Sequence, residues 1–259
     1  MAELDFVDLS VKVGGRTLLD SITLQVERGD FVALIGANGA GKTTLLKLAL
    51  ALRAPSSGRV ELRGRPILEL EPRTRAAEIA WLPQHVRADE PLSALDTVAA
   101  ARFRFHETHA KSQSVARQAL DRVGASDYAA RRVTELSGGE RQRVAFACLI
   151  AQEANTLLFD EPANHLDPAQ QVEVYRSLSE LWHEGRTILC VNHDVNLLAH
   201  LGESERVRVV GLSRGRIAFE ARFADESLPA QMSALFGIEL TALQHATARY
   251  IVASPRSST

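Results

Sequence analysis

Residues 36–43 run Gly36-Ala37-Asn38-Gly39-Ala40-Gly41-Lys42-Thr43 and fill every fixed position of the pattern G-x-x-x-x-G-K-[ST]. Glycines at this spacing let successive backbone N–H groups curl around a phosphate chain. Lys42 can then reach the outer phosphates, and the Thr43 hydroxyl can bind magnesium. A second anion-ready segment, Leu136-Ser137-Gly138-Gly139-Glu140, lies far downstream. It sets a small polar residue and two glycines ahead of a helical run, whose N-terminus is a positive dipole end. One phosphate chain needs one cradle, so a second one demands an explanation. The third chemical element is Thr156-Leu157-Leu158-Phe159-Asp160-Glu161, an apolar run that closes on two acids. At the carboxyl edge of a sheet, Asp160 can hold magnesium while Glu161 orients and activates a water attacking a γ-phosphate. His193 follows the apolar run 187–191, where it can donate to a nearby loop carbonyl or touch that phosphate from the side opposite Lys42.

Several of these residues also carry a structural reading. Ser137 and Glu140 fit S-x-x-E, a capping box, and a helix start capped in this way still receives an anion. Asp167-Pro168 is an N-cap followed by Pro at N1, opening an amphipathic helix with Val172, Tyr175, Leu178 and Trp182. Asp194 is best explained as a cap for a helix over 195–201. His106 and His109 lie three apart but have no further clustered ligands, so they read as surface.

The elements that must position this chemistry follow from the patterning. Phe31-Val32-Ala33-Leu34-Ile35 predicts a buried strand, and Leu45, Leu46, Leu48, Ala49 and Leu52 predict a helix that ends before Pro55. Alternation over 4–12 and 16–27, around Gly14-Gly15, predicts an antiparallel β layer that residues 59–63 join. Residues 79–82 predict a short buried strand. Helices are expected at Thr97–Phe105, Ser114–Val123 and Gly139–Ala151. Strand and helix then alternate over 155–159, 168–183, 187–191, 195–201, 206–212 and 216–220, which argues a mainly parallel sheet with helices on both faces. The helical block is an insertion into that α/β core. The tail predicts a helix (Pro229–Phe236), a loop, an edge strand (Ala248–Val252) and a frayed end. Trp81, Tyr175 and Trp182 are expected in the core.

Composition narrows the class. The 259 residues are 46% hydrophobic and 24% charged, ordinary for a soluble globular protein. A net charge of -2 gives no reason to expect nucleic acid or a membrane surface as partner. No apolar stretch approaches the roughly 20 residues a membrane span needs. The start of the chain lacks a signal peptide's basic region and apolar core. Cys148 and Cys190, each in an apolar run, read as buried reduced thiols of a cytosolic protein.

Taken in order and spacing, the P-loop, Gln84, Leu136-Ser137-Gly138-Gly139-Glu140, the Asp160-Glu161 strand, Asn164-His165-Leu166-Asp167 and His193 resemble the ATP-binding-cassette (ABC) ATPases over about residues 3–222. The resemblance implies an α/β P-loop NTPase core with a mainly parallel sheet, an N-terminal antiparallel β layer and an inserted helical subdomain. It implies an ATPase domain at 1–222 (core 1–84 and 146–222, helical subdomain 85–145) and a C-terminal extension at 223–259. Gly36, Ala37, Asn38, Gly39, Ala40, Gly41, Lys42, Thr43 and Thr44 would hold ATP, with magnesium on Thr43, Gln84 and Asp160. Glu161, Gln84 and His193 would serve catalysis, Gln84 also linking the site to the transport partner. Ser137, Gly138 and Gly139 would bind the γ-phosphate of ATP held by a second copy, with Asp167 in a loop crossing the interface.

That trans arrangement accounts for two phosphate cradles, because a two-fold axis can set each signature segment over the opposite P-loop. The motif Asp160–Gln171, with Leu82-Pro83-Gln84 and the tail Met232–Gly237, is similar to the importers of ferric siderophores, haem and cobalamin. Partners implied are a second copy in a head-to-tail dimer, two transmembrane permease subunits and, indirectly, an extracytoplasmic binding protein, with the chain peripheral on the cytoplasmic face of the inner membrane. A soluble assembly-type ABC ATPase, or a transporter of other cargo, is the alternative, and a simple P-loop kinase is third. One position departs from the family: Val13 stands where an aromatic that stacks on adenine is usual. Ala163, where Thr is frequent, and Asn192, before the switch His, are smaller departures.

Overall fold

The computed structural model describes residues 2–84, 91–164, 166–245 and 248–254. Two long strands open the chain, β1 (Ala2–Val13) and β2 (Arg16–Glu27), turning at Gly14-Gly15. They are followed by β3 (Phe31–Ile35), α1 (Lys42–Ala49), β4 (Ser57–Leu62), the two-residue β5 (Arg65–Pro66), α2 (Pro72–Glu78) and β6 (Ile79–Leu82). A helical block comes next, with α3 (Ala94–Ala100), α4 (His109–Arg122) and α5 (Gly138–Ala151). The chain then alternates through β7 (Thr156–Asp160), α6 (Pro168–His183), β8 (Thr187–Val191), a 3-10 segment Val195–Leu201, β9 (Arg208–Ser213) and β10 (Arg216–Arg222). It closes with α7 (Leu228–Phe236), β11 (Leu240–His245) and β12 (Ala248–Ala253).

The central sheet has the order β10-β9-β3-β8-β7-β6, and every pairing from β9 to β6 is parallel. Only the edge strand β10 runs antiparallel to its neighbour. A separate antiparallel sheet, β2-β1-β4-β5, covers one face. Strand alternation explains why the parallel strands are apolar throughout. Phe31, Ala33 and Ile35 of β3 point to a core shared with α5 and α6, while Val32 and Leu34 point to one shared with α1 and the antiparallel sheet. Phe159 and Cys190 join the first core, Leu158 and Val191 the second.

The helical block has a core of its own, built on Ala94, Val98, Leu120, Val133 and Leu136. Helix α5 belongs to both: Val144, Ala147 and Ala151 face the helical block, while Phe146 and Leu149 face the sheet. Its Cys148 thiol points at the Thr97 carbonyl, and Cys190 is enclosed within β8. A buried ionic contact ties the two sheets together. Glu3 is 2% exposed and accepts from Arg63, just past β4, and from the Thr156 hydroxyl at 3.0 Å.

The structure departs from the sequence expectations at several elements. Helix α2 was not expected: Arg73-Thr74-Arg75-Ala76-Ala77-Glu78 has no apolar period and buries nothing, so Pro72 at N1 was its one signal. Helix α3 lies at 94–100 rather than 97–105, because Ser93 caps it and accepts from the Asp96 N–H at 3.0 Å. The helix expected at 195–201 is a 3-10 segment, capped by Asp194 as anticipated. Residues 248–253 do not edge the main sheet. They pair with β11, in a stretch expected to be a loop, and form a separate hairpin. That hairpin is clasped to the 3-10 segment: Asn196 Nδ2 donates to the Ile251 carbonyl at 3.1 Å, and the Ile251 N–H donates to Asn196 Oδ1 at 2.7 Å. Trp81, on the edge strand β6, is half-buried rather than core.

Candidate active site

Parallel strands end on one edge, so the segments that follow β3, β6, β7 and β8 come together there. These segments are the P-loop, Gln84, Glu161 and Asn192-His193. They line a cleft of about 640 Å³ with Asn38, Gly39, Gly41, Lys42, Thr43, Thr44, Gln84, Glu161, Asn164 and His193 in its wall.

The P-loop's glycines are demanded by packing as well as by backbone. Gly36 (φ +149°) runs against the Leu212 carbonyl and Gly41 (φ +108°) against the Leu19 side chain, and a Cβ at either place would clash. Helix α1 starts directly at Gly41 with no side-chain cap and no acid in its first turn. Its N-terminal donors are therefore left to a ligand. Lys42 is nearly buried and curls back on its own loop, donating to the Gly36 carbonyl at 2.7 Å and the Ala37 carbonyl at 3.2 Å. Burial pulls its ammonium down from the usual lysine range, against the opposing pull of Glu161 and Asp160.

The acidic pair splits into two roles. Asp160, 2% exposed at the end of β7, accepts from the Thr43 hydroxyl at 3.1 Å. Burial holds its carboxyl above the usual value, the Thr43 bond opposes that, and the neighbouring Glu161 charge adds to it. Glu161 turns the chain with φ +56°, a left-handed conformation unusual for a residue with a side chain. The turn aims its carboxylate back into the cleft, where three groups hold it. Gln84 Nε2 donates to Oε2 at 2.5 Å, Asn164 Nδ2 donates to Oε2 at 3.0 Å, and His193 Nε2 stands 2.7 Å from Oε1. The His193 side chain remains 47% exposed while that of Glu161 is 9% exposed. Beneath them Asn192, with its amide oriented to suit its neighbours, accepts from the Tyr175 hydroxyl at 2.8 Å and donates to the Cys190 and Val191 carbonyls.

Ser137, Gly138, Gly139 and Asp167 do not line this cleft. Ser137 caps α5 in a reciprocal box: its N–H donates to Glu140 Oε2 at 2.7 Å and its hydroxyl accepts from the Glu140 N–H at 3.3 Å. Asp167 caps α6 through the Gln170 N–H at 2.9 Å. Gln142 of α5 donates to the Pro162 carbonyl at 2.8 Å, so the signature helix braces the loop after Glu161. His165 lies outside the described residues. Sequence reasoning assigned no separate role to Asn164, whose signal was its place three residues after Glu161 in a turn closed by Asn164 N–H to the Glu161 carbonyl at 3.1 Å. It also missed Arg16 and Leu18, which line the cleft from β2.

A phosphate loop and an acid-ended strand, separated by the single strand β8 on one parallel sheet, define a P-loop nucleoside triphosphatase. Residues 19–164 match the ABC transporter family, and the chain belongs to it. It is an ATP-binding ATPase whose hydrolysis is coupled to transport. Similar proteins include the hemin import ATP-binding protein HmuV of Bordetella avium, 34% identical over 92% of this chain and 93% of that protein. HmuV of Deinococcus radiodurans is 37% identical over 92% and 91%. The iron(3+)-hydroxamate import ATP-binding protein FhuC of Bacillus subtilis is 32% identical over 92% and 89%. Among solved structures, a metal-chelate type ABC transporter in an inward-facing conformation superposes with a TM-score of 0.82 at 25% identity, covering 99% of both chains. A bacterial ABC transporter cassette solved as a dimer superposes with 0.77 at 26% identity, over 86% of this chain and 99% of that one.

Proposed function

We propose that the cleft is half of an ATP site completed by a second copy of the chain, and that the pair energises import of a haem, ferric-siderophore or cobalamin-type chelate. The observation that carries the shared site is the second phosphate-ready segment. A Cβ added at Gly138 would meet nothing within 4 Å, so this protomer's own packing does not require glycine there. An approaching phosphate would. The cargo class is supported by the relatives' names and by the similarity running through the C-terminal extension.

In this reading residues 36–44 wrap the phosphates and Lys42 leaves its loop carbonyls for the outer ones. Hydroxyl, carboxylate and amide oxygens on Thr43, Asp160 and Gln84 form a hard donor set suited to magnesium. When bound, that ion neutralises charge on the outer phosphates. Glu161 performs the proton transfer. Its carboxylate offers about four acceptor positions, of which Gln84, Asn164 and His193 take three. The remaining position takes a proton from water as the water oxygen bonds to the γ-phosphorus and the bond to the β,γ-bridging oxygen breaks, releasing ADP. His193, anchored on Glu161 yet exposed, reaches the same phosphate.

Ser137, Gly138 and Gly139 of one copy close over the γ-phosphate held by the other, with Asp167 at the crossing. Gln84 couples the site to the helical subdomain at 85–145, inserted between core segments 1–84 and 146–222, and that subdomain docks on a pair of permease subunits. The chain is then peripheral at the cytoplasmic face of the membrane, served by an extracytoplasmic binding protein, with 223–259 as an extension. Glu161→Gln keeps the size of the side chain but removes the base. Size-exclusion chromatography with ATP and magnesium is expected to give a dimer for this variant and no lasting dimer for the parent. A variant that stays monomeric under these conditions would sink the shared-site mechanism.

A further inference from the structure

The cleft offers phosphates its backbone and Lys42, yet no Phe, Tyr or Trp lines it among the described residues. Val13 ends β1, 47% exposed, and pairs directly across the hairpin with Arg16. Directly opposed residues of an antiparallel pair project from the same face. Leu18, two residues along β2, shares that face and lines the cleft with Arg16. The inner end of this row touches the phosphate loop, because the Leu18 carbonyl and Leu19 side chain crowd Gly41. Arg16 lies two residues further toward the hairpin tip, about 7 Å beyond that contact. A nucleotide gripped at Lys42 puts its base, not its phosphates, at that distance.

The Arg16 guanidinium has no ion-pair or hydrogen-bond partner among the described residues, unlike those of Arg63, Arg102 and Arg208. A planar, weakly hydrated cation flanked by aliphatic side chains is suited to stacking on a purine ring. We propose that Arg16 is the base-binding residue of this cleft, its guanidinium stacked on the purine with Val13 and Leu18 as flanks. A stack reads the π-face and leaves the hydrogen-bonding edge unread. The site therefore favours purines over pyrimidines but separates adenine from guanine weakly. This rests on the reading of the cleft as the nucleotide site.

Calorimetric titration with ADP, GDP, UDP and inorganic pyrophosphate, each with magnesium, tests it without hydrolysis. For the parent chain ADP and GDP are expected within about threefold of one another and UDP several-fold weaker. Arg16→Ala, on an exposed hairpin, should weaken ADP and GDP by about tenfold and pyrophosphate by less than about twofold. Arg16→Lys should recover little, because an ammonium has no plane to stack. Val13→Tyr added to Arg16→Ala should restore ADP binding. Equal losses for ADP and pyrophosphate would move Arg16 to the phosphates and overturn the proposal, as would an unchanged ADP affinity. If Lys42→Ala binds ADP and pyrophosphate as well as the parent, the nucleotide-site reading fails as a whole, an outcome distinct from either.

Discussion

Asp160 and Glu161 are adjacent in the chain, yet their surroundings differ. Glu161 points into the cleft with Gln84, Asn164 and His193 on its carboxylate, while Asp160 is sealed beneath it with the Thr43 hydroxyl as its hydrogen-bond partner. Burial raises the Asp160 carboxyl above its ordinary 3.8, so the folded chain binds that proton more tightly than the unfolded chain does. Stability therefore falls as pH climbs from 3.8 through the raised value. Asp160→Asn removes the charge and should stabilise the fold at pH 7 by about 1 kcal/mol while abolishing activity. The gain should be smaller at pH 4, close to the ordinary value of 3.8, where less of the carboxyl is ionised. Urea denaturation at both pH values checks this, and a gain undiminished at pH 4 would mean that the buried charge is not its source. The phosphate loop was legible because its pattern is narrow: after the glycine turn it admits Lys followed by Ser or Thr, here Lys42 and Thr43. Arg16 was not legible, because its meaning depends on the partner across the hairpin and on the empty aromatic position.

Among the elements, legibility tracked burial. Strands β3, β7 and β8 are apolar on both faces and were placed from sequence within a residue of their observed ends. Helix α2 and strand β11 bury almost nothing, so no periodicity marked them. Nor could sequence foresee the Glu3 network, which joins β1, the end of β4 and the start of β7 across 153 residues of chain. Removing Arg63 leaves the Glu3 carboxylate enclosed with Thr156 as its one remaining hydrogen-bond donor among the described residues. Breaking a fully buried pair costs 3–5 kcal/mol. Because the Arg63 side chain is 37% exposed, Arg63→Ala should cost about 2 kcal/mol. Chemical denaturation measures it, and a loss below about 0.5 kcal/mol would reduce the contact to a surface pair.

The sheet's carboxyl edge carries the phosphate-loop cleft, and in the proposed dimer the second phosphate-binding segment rides on the N-terminus of α5. Since α5 is packed into both the sheet core and the helical core, movement of the helical block carries Ser137 and Gly138 with it. If the chain meets nucleotide and permease as proposed, cargo is chosen elsewhere in the transporter. Reconstitution with its co-encoded permease is expected to give ATP hydrolysis stimulated by a binding protein loaded with haem, a ferric siderophore or cobalamin. Stimulation only by an exporter's substrate, without any binding protein, would overturn the importer reading.

The two thiols, Cys190 buried and Cys148 half-buried, have a practical consequence. Burial pushes Cys148 up to about 12 and raises Cys190 as well, and the thiolate is the reactive form. With only these two cysteines in 259 residues, the native chain is expected to react slowly with maleimides at neutral pH. A single cysteine placed at exposed Val252, beside the Asn196–Ile251 clasp, would take one fluorophore and report, without further engineering, the segment that follows His193.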